Sequence, residues 1–241
     1  MALDQKLRNV LIFQHNDETP PGTTLDWLRT KGVSYHIHHF TKAAKTGAKI
    51  PPVSDFDALV ICGGGMNVDQ EALYPWLRDE KEALREWISS GKRILGLCLG
   101  SQLLAEVLGS KAEKHSHWEV GFHAVSLSPE KSKYLPPEIH TLTVFQYHGY
   151  RYHCPQKGFS LGTNSACSDQ AFQVGENIVA FQFHPESTKE WIVECATDHS
   201  EPYPTGEFVE APEKTIQNLK LQEDLQRWYF HFLDRFFLRK T

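Results

Sequence analysis

The chain has 241 residues, with 25 lysines and arginines against 30 aspartates and glutamates and a formal net charge of −5. It is 40% hydrophobic and 23% charged, with a mean hydropathy of −0.43 and no long basic run. That composition excludes a disordered chain and a dedicated nucleic-acid binder, whose affinity needs clustered cations. No stretch reaches the ~20 apolar residues that span a bilayer.

At the N-terminus Asp4, Gln5, Lys6 and Arg8 stand where a signal peptide needs an apolar core, so secretion is not expected. Asn9 to Gln14 reads as a buried strand and Thr23 to Thr30 as a short helix closed by Gly32. In the run Tyr-His-Ile-His-His, alternation puts His36 and His38 on one face of a strand with no nearby carboxylate, and His39 opposite. A solvated strand is expected there rather than a zinc tract. Asp57 to Cys62 is a second apolar run that stops at Gly63-Gly64-Gly65, leaving Cys62 as core. Pro75 marks a helix start, Leu77, Leu84, Trp87 and Ile88 recur at helical spacing, and Gly91 ends the pattern. Arg93 to Leu97 is another strand, followed without a gap by the helical pattern Leu99, Leu103, Leu104, Val107.

Beyond Gly109 the pattern turns β-rich, with runs at Val120 to Ser128, Leu142 to Gln146, Ala171 to Val174 and Ile178 to Phe183 and hairpins between them. His115 and His117 read as loop surface. Residues 197–212 read as an irregular, acidic surface loop, and 213–239 as one amphipathic helix whose aromatic stripe packs on the core or forms an interface. The expected architecture is α/β, flavodoxin-like: a doubly wound, mostly parallel sheet with helices on both faces and a β-rich second half, in one domain over residues 1–241.

The sharpest local feature is Gly96-Leu97-Cys98-Leu99-Gly100, where a strand turns straight into a helix. A nucleophile on so tight a turn needs small residues two positions to either side, and the helix N-terminus favours a thiolate. A buried strand-end cysteine beside two turn glycines would give the same pentapeptide. A thiolate needs a proton shuttle, and Phe183-His184-Pro185-Glu186 offers one: in an extended segment His184 and Glu186 point the same way. The Leu99 backbone N–H and the Gly63 to Gly65 turn can supply donors to an oxyanion. The five cysteines, Cys62, Cys98, Cys154, Cys167 and Cys195, are odd in number and lack a C-x-x-C spacing. A disulfide framework and a zinc cluster are poor readings, and a reducing, cytoplasmic setting fits.

GLCLGSQLLA around Cys98, FQFHPE at 181–186, GGGMN at 63–67 and FQYHGYRYHCP at 145–155, in that spacing along the chain, together resemble the class I glutamine amidotransferases, in particular stand-alone members similar to the amidotransferase domain of GMP synthase. The resemblance implies Cys98 as nucleophile, His184 as base and Glu186 as its orienter. It implies Gly64 and Leu99 as the oxyanion hole, and Gln102 and His148 as substrate contacts. Two departures stand out: the third residue of the family's glycine-glycine-proline turn is Gly65, and after His148-Gly149 its usual acid is Tyr150. The expected activity is hydrolysis of the glutamine side-chain amide through a thioester. The alternatives are a γ-glutamyl peptide hydrolase with the same triad, or a catalytically idle regulatory subunit. No phosphate loop G-x-x-x-x-G-K-[ST] is present, so no ATP chemistry, cofactor or metal is expected. The expected partners are glutamine or a γ-glutamyl compound and a synthetase or other ammonia acceptor, with no nucleic acid and no membrane.

Overall fold

The computed structural model describes residues 7–198, 200 and 202–238. The signal-peptide reading therefore rests almost wholly on residues outside those described, as does the far end of the expected 213–239 helix. Along the chain run β1 (Asn9–Gln14), α1 (Thr23–Thr30), β2 (Ser34–His39), α2 (Phe40–Thr46), β3 (Ala58–Ile61), α3 (Trp76–Ser89), β4 (Arg93–Leu97) and α4 (Leu99–Val107). The second half holds β5 (Ala112–Leu127), β6 (Thr141–Tyr152), β7 (Gly158–Thr163), β8 (Ala171–Val174), β9 (Ile178–Phe181), α5 (Lys189–Thr197), α6 (Pro212–Gln217) and α7 (Leu221–Leu233).

The strands form one sheet in the order β2-β1-β3-β4-β9-β8-β7-β5-β6. The pairings from β2 through to β9 are parallel, and those from β9 through to β6 are antiparallel. The sheet is thus evenly mixed, not mostly parallel. Connections as short as Gly175-Glu176-Asn177, between β8 and β9, cannot carry a crossover, so strands joined this way must run antiparallel.

Within the parallel half β1, β3, β4 and β9 are buried on both faces, which is why they are continuous apolar runs, whereas the edge strand β2 is partly exposed. Val10, Ile12, Val60, Leu95, Leu97 and Phe181 pack with Trp27 of α1 and Trp228 and Phe232 of α7. Leu11, Phe13, Leu59, Ile61 and Ile94 pack with Leu77, Leu84 and Trp87 of α3 and Leu103 and Leu104 of α4. Because β1, β3, β4 and β9 are adjacent and parallel, the segments that follow them (His15, Gly63, Cys98 and Gln182 onward) emerge side by side at one edge.

Several expectations need correction. The C-terminal segment is not one helix: α6 and α7 are separated by a turn at Asn218–Lys220, and a π-helical turn, Asp234–Leu238, follows. The break is fixed by Glu210, whose buried carboxylate accepts from Thr215 Oγ1 (3.1 Å), Asn218 Nδ2 (2.9 Å) and the Phe122 N–H (3.1 Å). Its aromatic stripe is core: Trp228, Tyr229, Phe232 and Phe236 are buried, so that face offers no docking surface. The described residues of the 197–212 tract are irregular but pinned, since Val209 bridges Val120 in parallel, and its two ends, Thr197 and Pro212, belong to α5 and α6. His38 is buried edge-on to Phe13 and Phe40, because α2 covers that end of β2, whereas His36 is exposed. His115 and His117 lie half-buried on β5, not in a loop, and His117 Nε2 is 3.0 Å from the Ala166 carbonyl. Among the described residues no helix is long and apolar enough to cross a membrane.

Phe232 lies fully buried against Phe181, ring centroids 4.8 Å apart. Phe232→Ala is expected to lower the unfolding free energy by about 3–5 kcal/mol, read from the urea midpoint at unchanged slope.

Candidate active site

The β4–α4 junction reverses the chain within one residue. Cys98 sits at φ 48°, ψ −108°, and among the described residues it is the one non-glycine with positive φ. Such a conformation costs of order 1–3 kcal/mol and persists only where its surroundings impose it. Here the Cys98 N–H donates to the Phe181 carbonyl of β9 (2.9 Å), the Gly100 N–H to Cys62 O (3.2 Å), and Ser101 Oγ to Cys98 O (2.5 Å). The flanking glycines answer to space: a Cβ on Gly100 would lie 2.4 Å from Ile61 O, and one on Gly96 2.7 Å from Leu104 Cδ1. The turn leaves the sulfur on the wall of a cavity of about 880 Å³.

β9 hands on to Gln182 and His184. His184 is anchored by its N–H to Phe145 O (2.9 Å) and packs on Trp191 of α5, ring centroids 4.8 Å apart. Its Nδ1 is 2.8 Å from Glu186 Oε1, both side chains being buried. Burial by itself pulls the imidazolium pKa down; the Cys98 sulfur and the Glu186 carboxylate, through charge and hydrogen bonding, outweigh it and raise it to about 10. Among the described residues Glu186 Oε2 has no hydrogen-bond partner.

The turn after β3 completes the wall. A Cβ on Gly63 would meet His184 Cε1 at 2.9 Å, and one on Gly64 would meet Leu99 Cδ2 at 2.6 Å, so backbone alone fits there. The Leu99 N–H belongs to the first turn of α4, where helical amides have no partner within the helix. Gly64, Cys98, Leu99, Gln102, His148 and His184 all line the cavity, and Glu186 stands behind His184. Both predicted contact residues are already engaged. Gln102 Nε2 lies 3.3 Å from both Tyr150 O and Gln182 Oε1. His148 bridges Tyr150 O (Nδ1, 2.9 Å) and Glu119 Oε2 (Nε2, 3.1 Å).

Sequence reasoning missed Glu119, Gln182 and Gln170. Glu119 is a buried carboxylate held below its usual pKa: burial pushes it up, but hydrogen bonds from His148, Asn164 and Gln170 prevail. Gln182 Nε2 is 3.8 Å from the Cys98 sulfur. Only the glutamine inside the FQFHPE block carried a signal, through its place beside His184. Trp118, lying over Gly149 at the cavity wall, was also unmarked.

An α/β sheet carrying a cysteine elbow and a histidine–glutamate pair on neighbouring parallel strands already narrows the class. The family model "Glutamine amidotransferase class-I" matches residues 23–191, more than half of the chain. The chain belongs to the class I glutamine amidotransferase family. It is 29% identical over 194 residues to the glutamine amidotransferase-like protein YfeJ of Salmonella typhimurium, covering 78% of this chain and 79% of that one. It is 31% identical to the glutamine-hydrolysing GMP synthase subunit of Thermoplasma acidophilum (68% and 78% covered) and 27% identical to gamma-glutamyl peptidase 2 of Arabidopsis thaliana (61% and 60%). A glutamine amidotransferase crystal structure from Thermotoga maritima superposes with a TM-score of 0.85 at 25% identity, covering 98% of this chain and all of that one.

Burial pushes four of the thiols upward: Cys154 and Cys167 to about 11, Cys195 to about 12, and Cys62 well above its usual value. Iodoacetamide at pH 7 is therefore expected to alkylate Cys98 first, as read by peptide mass spectrometry after brief exposure. Earlier labelling of Cys195, which shares the cavity, would show that the elbow does not set the reactivity.

Proposed function

We propose that this chain is an amidase that hydrolyses the side-chain amide of glutamine through Cys98, His184 and Glu186. The observation that carries the reading is the convergence of three separately encoded segments, the elbow, the His-Pro-Glu segment and the glycine turn, on one cavity wall. The Cys98 sulfur attacks the carboxamide carbon, and the oxyanion is held by the Gly64 and Leu99 N–H groups. The carbon–nitrogen bond breaks as His184 gives its proton to the departing ammonia. His184 then takes a proton from water, which attacks the thioester and releases glutamate. Gln102 and His148 shape the floor on which the glutamate moiety lies. The strand order β2-β1-β3-β4-β9 supports the flavodoxin-like description of the parallel half. Apolar clusters that run from Leu7 to Phe237 support reading the chain as one domain. Five free thiols suit a reducing, cytoplasmic setting.

A second reading keeps the triad and changes the leaving group to the amine of a γ-glutamyl peptide. Two observations favour it: the cavity of about 880 Å³ exceeds what a single amino acid fills, and Tyr150 stands where the family's usual acid would contact a small polar substrate. Under the first reading a synthetase or other ammonia acceptor is the partner, and activity rises when it is added. Under the second the chain acts alone. Incubation with glutamine and with γ-glutamyl dipeptides, scoring ammonia and glutamate separately, decides between them. Glutamate without turnover-linked ammonia, from the dipeptide alone, would overturn the first reading. No release from either substrate would leave only the idle regulatory role.

His184→Ala is expected to lower kcat by about 10²–10⁴-fold, and Glu186→Gln by less. Because the raised His184 pKa keeps the ring protonated through neutrality, activity should fall as pH rises through about 10. Glu186→Gln removes one of the charges that hold the proton, so the alkaline limb of the pH–kcat profile should move to lower pH.

A further inference from the structure

Behind the glycine turn lies a second histidine–carboxylate pair that the proposed chemistry does not use. His15, the residue after β1, and Glu80, on α3, are both fully buried. His15 Nε2 is 3.0 and 3.2 Å from the two Glu80 oxygens, and Nδ1 is 2.6 Å from the Gly63 carbonyl oxygen. The ring packs beside Phe40 (5.6 Å, 12°) and Trp76 (5.8 Å, 26°), which are themselves stacked 4.9 Å apart, and its two ring nitrogens are both engaged. The Gly63 oxygen can only accept, so the short contact to it requires a hydrogen on Nδ1. Wherever the proton between Nε2 and Glu80 resides, that requirement stands. Burial lowers the His15 pKa, but the Glu80 charge and hydrogen bond, with the Gly63 carbonyl, reverse this and raise it.

The Gly63 carbonyl and the Gly64 N–H belong to the same planar amide and point in opposite directions. Holding the oxygen on the His15 side therefore turns the N–H away from His15 and toward the cavity that Gly64 lines. Thr19 Oγ1, 3.0 Å from the same oxygen, adds a second hold. A charge-assisted bond at the oxygen also polarises the amide and strengthens its N–H as a donor.

We propose that His15 and Glu80 are a positioning pair for the oxyanion site: His15 Nδ1–H grips the Gly63 carbonyl, and Glu80 fixes the ring, so that the Gly64 N–H is aimed and polarised before substrate arrives. The assignment rests on the roles proposed above for Cys98 and Gly64. Three variants test it: Glu80→Gln, His15→Leu, and His15→Asn, whose side-chain N–H occupies the place of Nδ1–H. Each is assayed for kcat and KM on glutamine and γ-glutamyl-p-nitroanilide and for the rate of Cys98 alkylation by iodoacetamide, which forms no oxyanion.

Glu80→Gln and His15→Leu are expected to lower kcat by about 10- to 100-fold while KM and the alkylation rate stay within about twofold, and His15→Asn should recover part of the loss. In the wild-type chain, ¹⁵N spectra of the imidazole, assigned among the 13 histidines by loss of the signal in His15→Asn, should show Nδ1 protonated. Alkylation falling in step with kcat, an unaltered kcat in His15→Leu, or an unprotonated Nδ1 would each overturn the proposal. A wild-type chain inert on both substrates rejects the functional reading instead, and the spectrum, which needs no variant to be active, still decides whether the grip on Gly63 exists.

Discussion

The cavity depends on the backbone reversal at Cys98. A left-handed cysteine between a buried strand and a buried helix is unfavourable in isolation. It holds because β9 supplies the Phe181 carbonyl to its N–H and because Gly100 lets α4 approach within contact of Ile61 on β3. The same two neighbours carry the other parts of the site. β3 ends in the glycine turn and β9 runs on to His184, so the strands that impose the strain also deliver the groups that surround the sulfur. Parallel adjacency makes this possible, since neighbouring parallel strands all finish at one edge of the sheet.

Among the described residues three histidine–carboxylate pairs are buried around that edge: His184–Glu186 at 2.8 Å, His15–Glu80 at 3.0 Å and His148–Glu119 at 3.1 Å. Removing a charge from water costs several kcal/mol unless a partner and further hydrogen bonds compensate. The pairs differ in how fully they are compensated. Glu119 has partners for both oxygens, and both Glu80 oxygens face His15, whereas Glu186 Oε2 has none among the described residues. The least satisfied carboxylate is the one behind the imidazole that faces the cysteine. There the Cys98 sulfur and the Glu186 carboxylate together hold a proton on the ring, in line with the upward shift at His184.

Much of this was legible in the sequence where the signal is local. β1, α1, β4 and β8 fall at the residues their apolar runs and turn glycines indicated, because buried strands and a helix closed by a glycine write themselves into consecutive residues. Cys98, Leu99, Gly64, His184 and Glu186 stood out for a similar reason: an elbow, a glycine turn and an i, i+2 pair are each contained in a few residues. α2, α5 and β7 did not stand out. α5 has a mixed sequence, KEWIVECAT, and takes its start from a Thr188 cap. β7, GFSLGT, has glycines in place of alternating side chains.

What the sequence alone determined, then, is the parallel half of the sheet, the elbow, and the residues that converge on it. Tertiary structure alone decided the even mixture of parallel and antiparallel pairings, the break between α6 and α7, and the polar residues that back the cavity. His15 meets Glu80 across 65 residues, His148 meets Glu119 across 29, and Gln182 reaches Cys98 across 84. No local periodicity encodes such partners, since a buried carboxylate is tolerable only where a distant element brings a donor to it. Their identity is set by how the chain packs, and packing is a property of the whole fold.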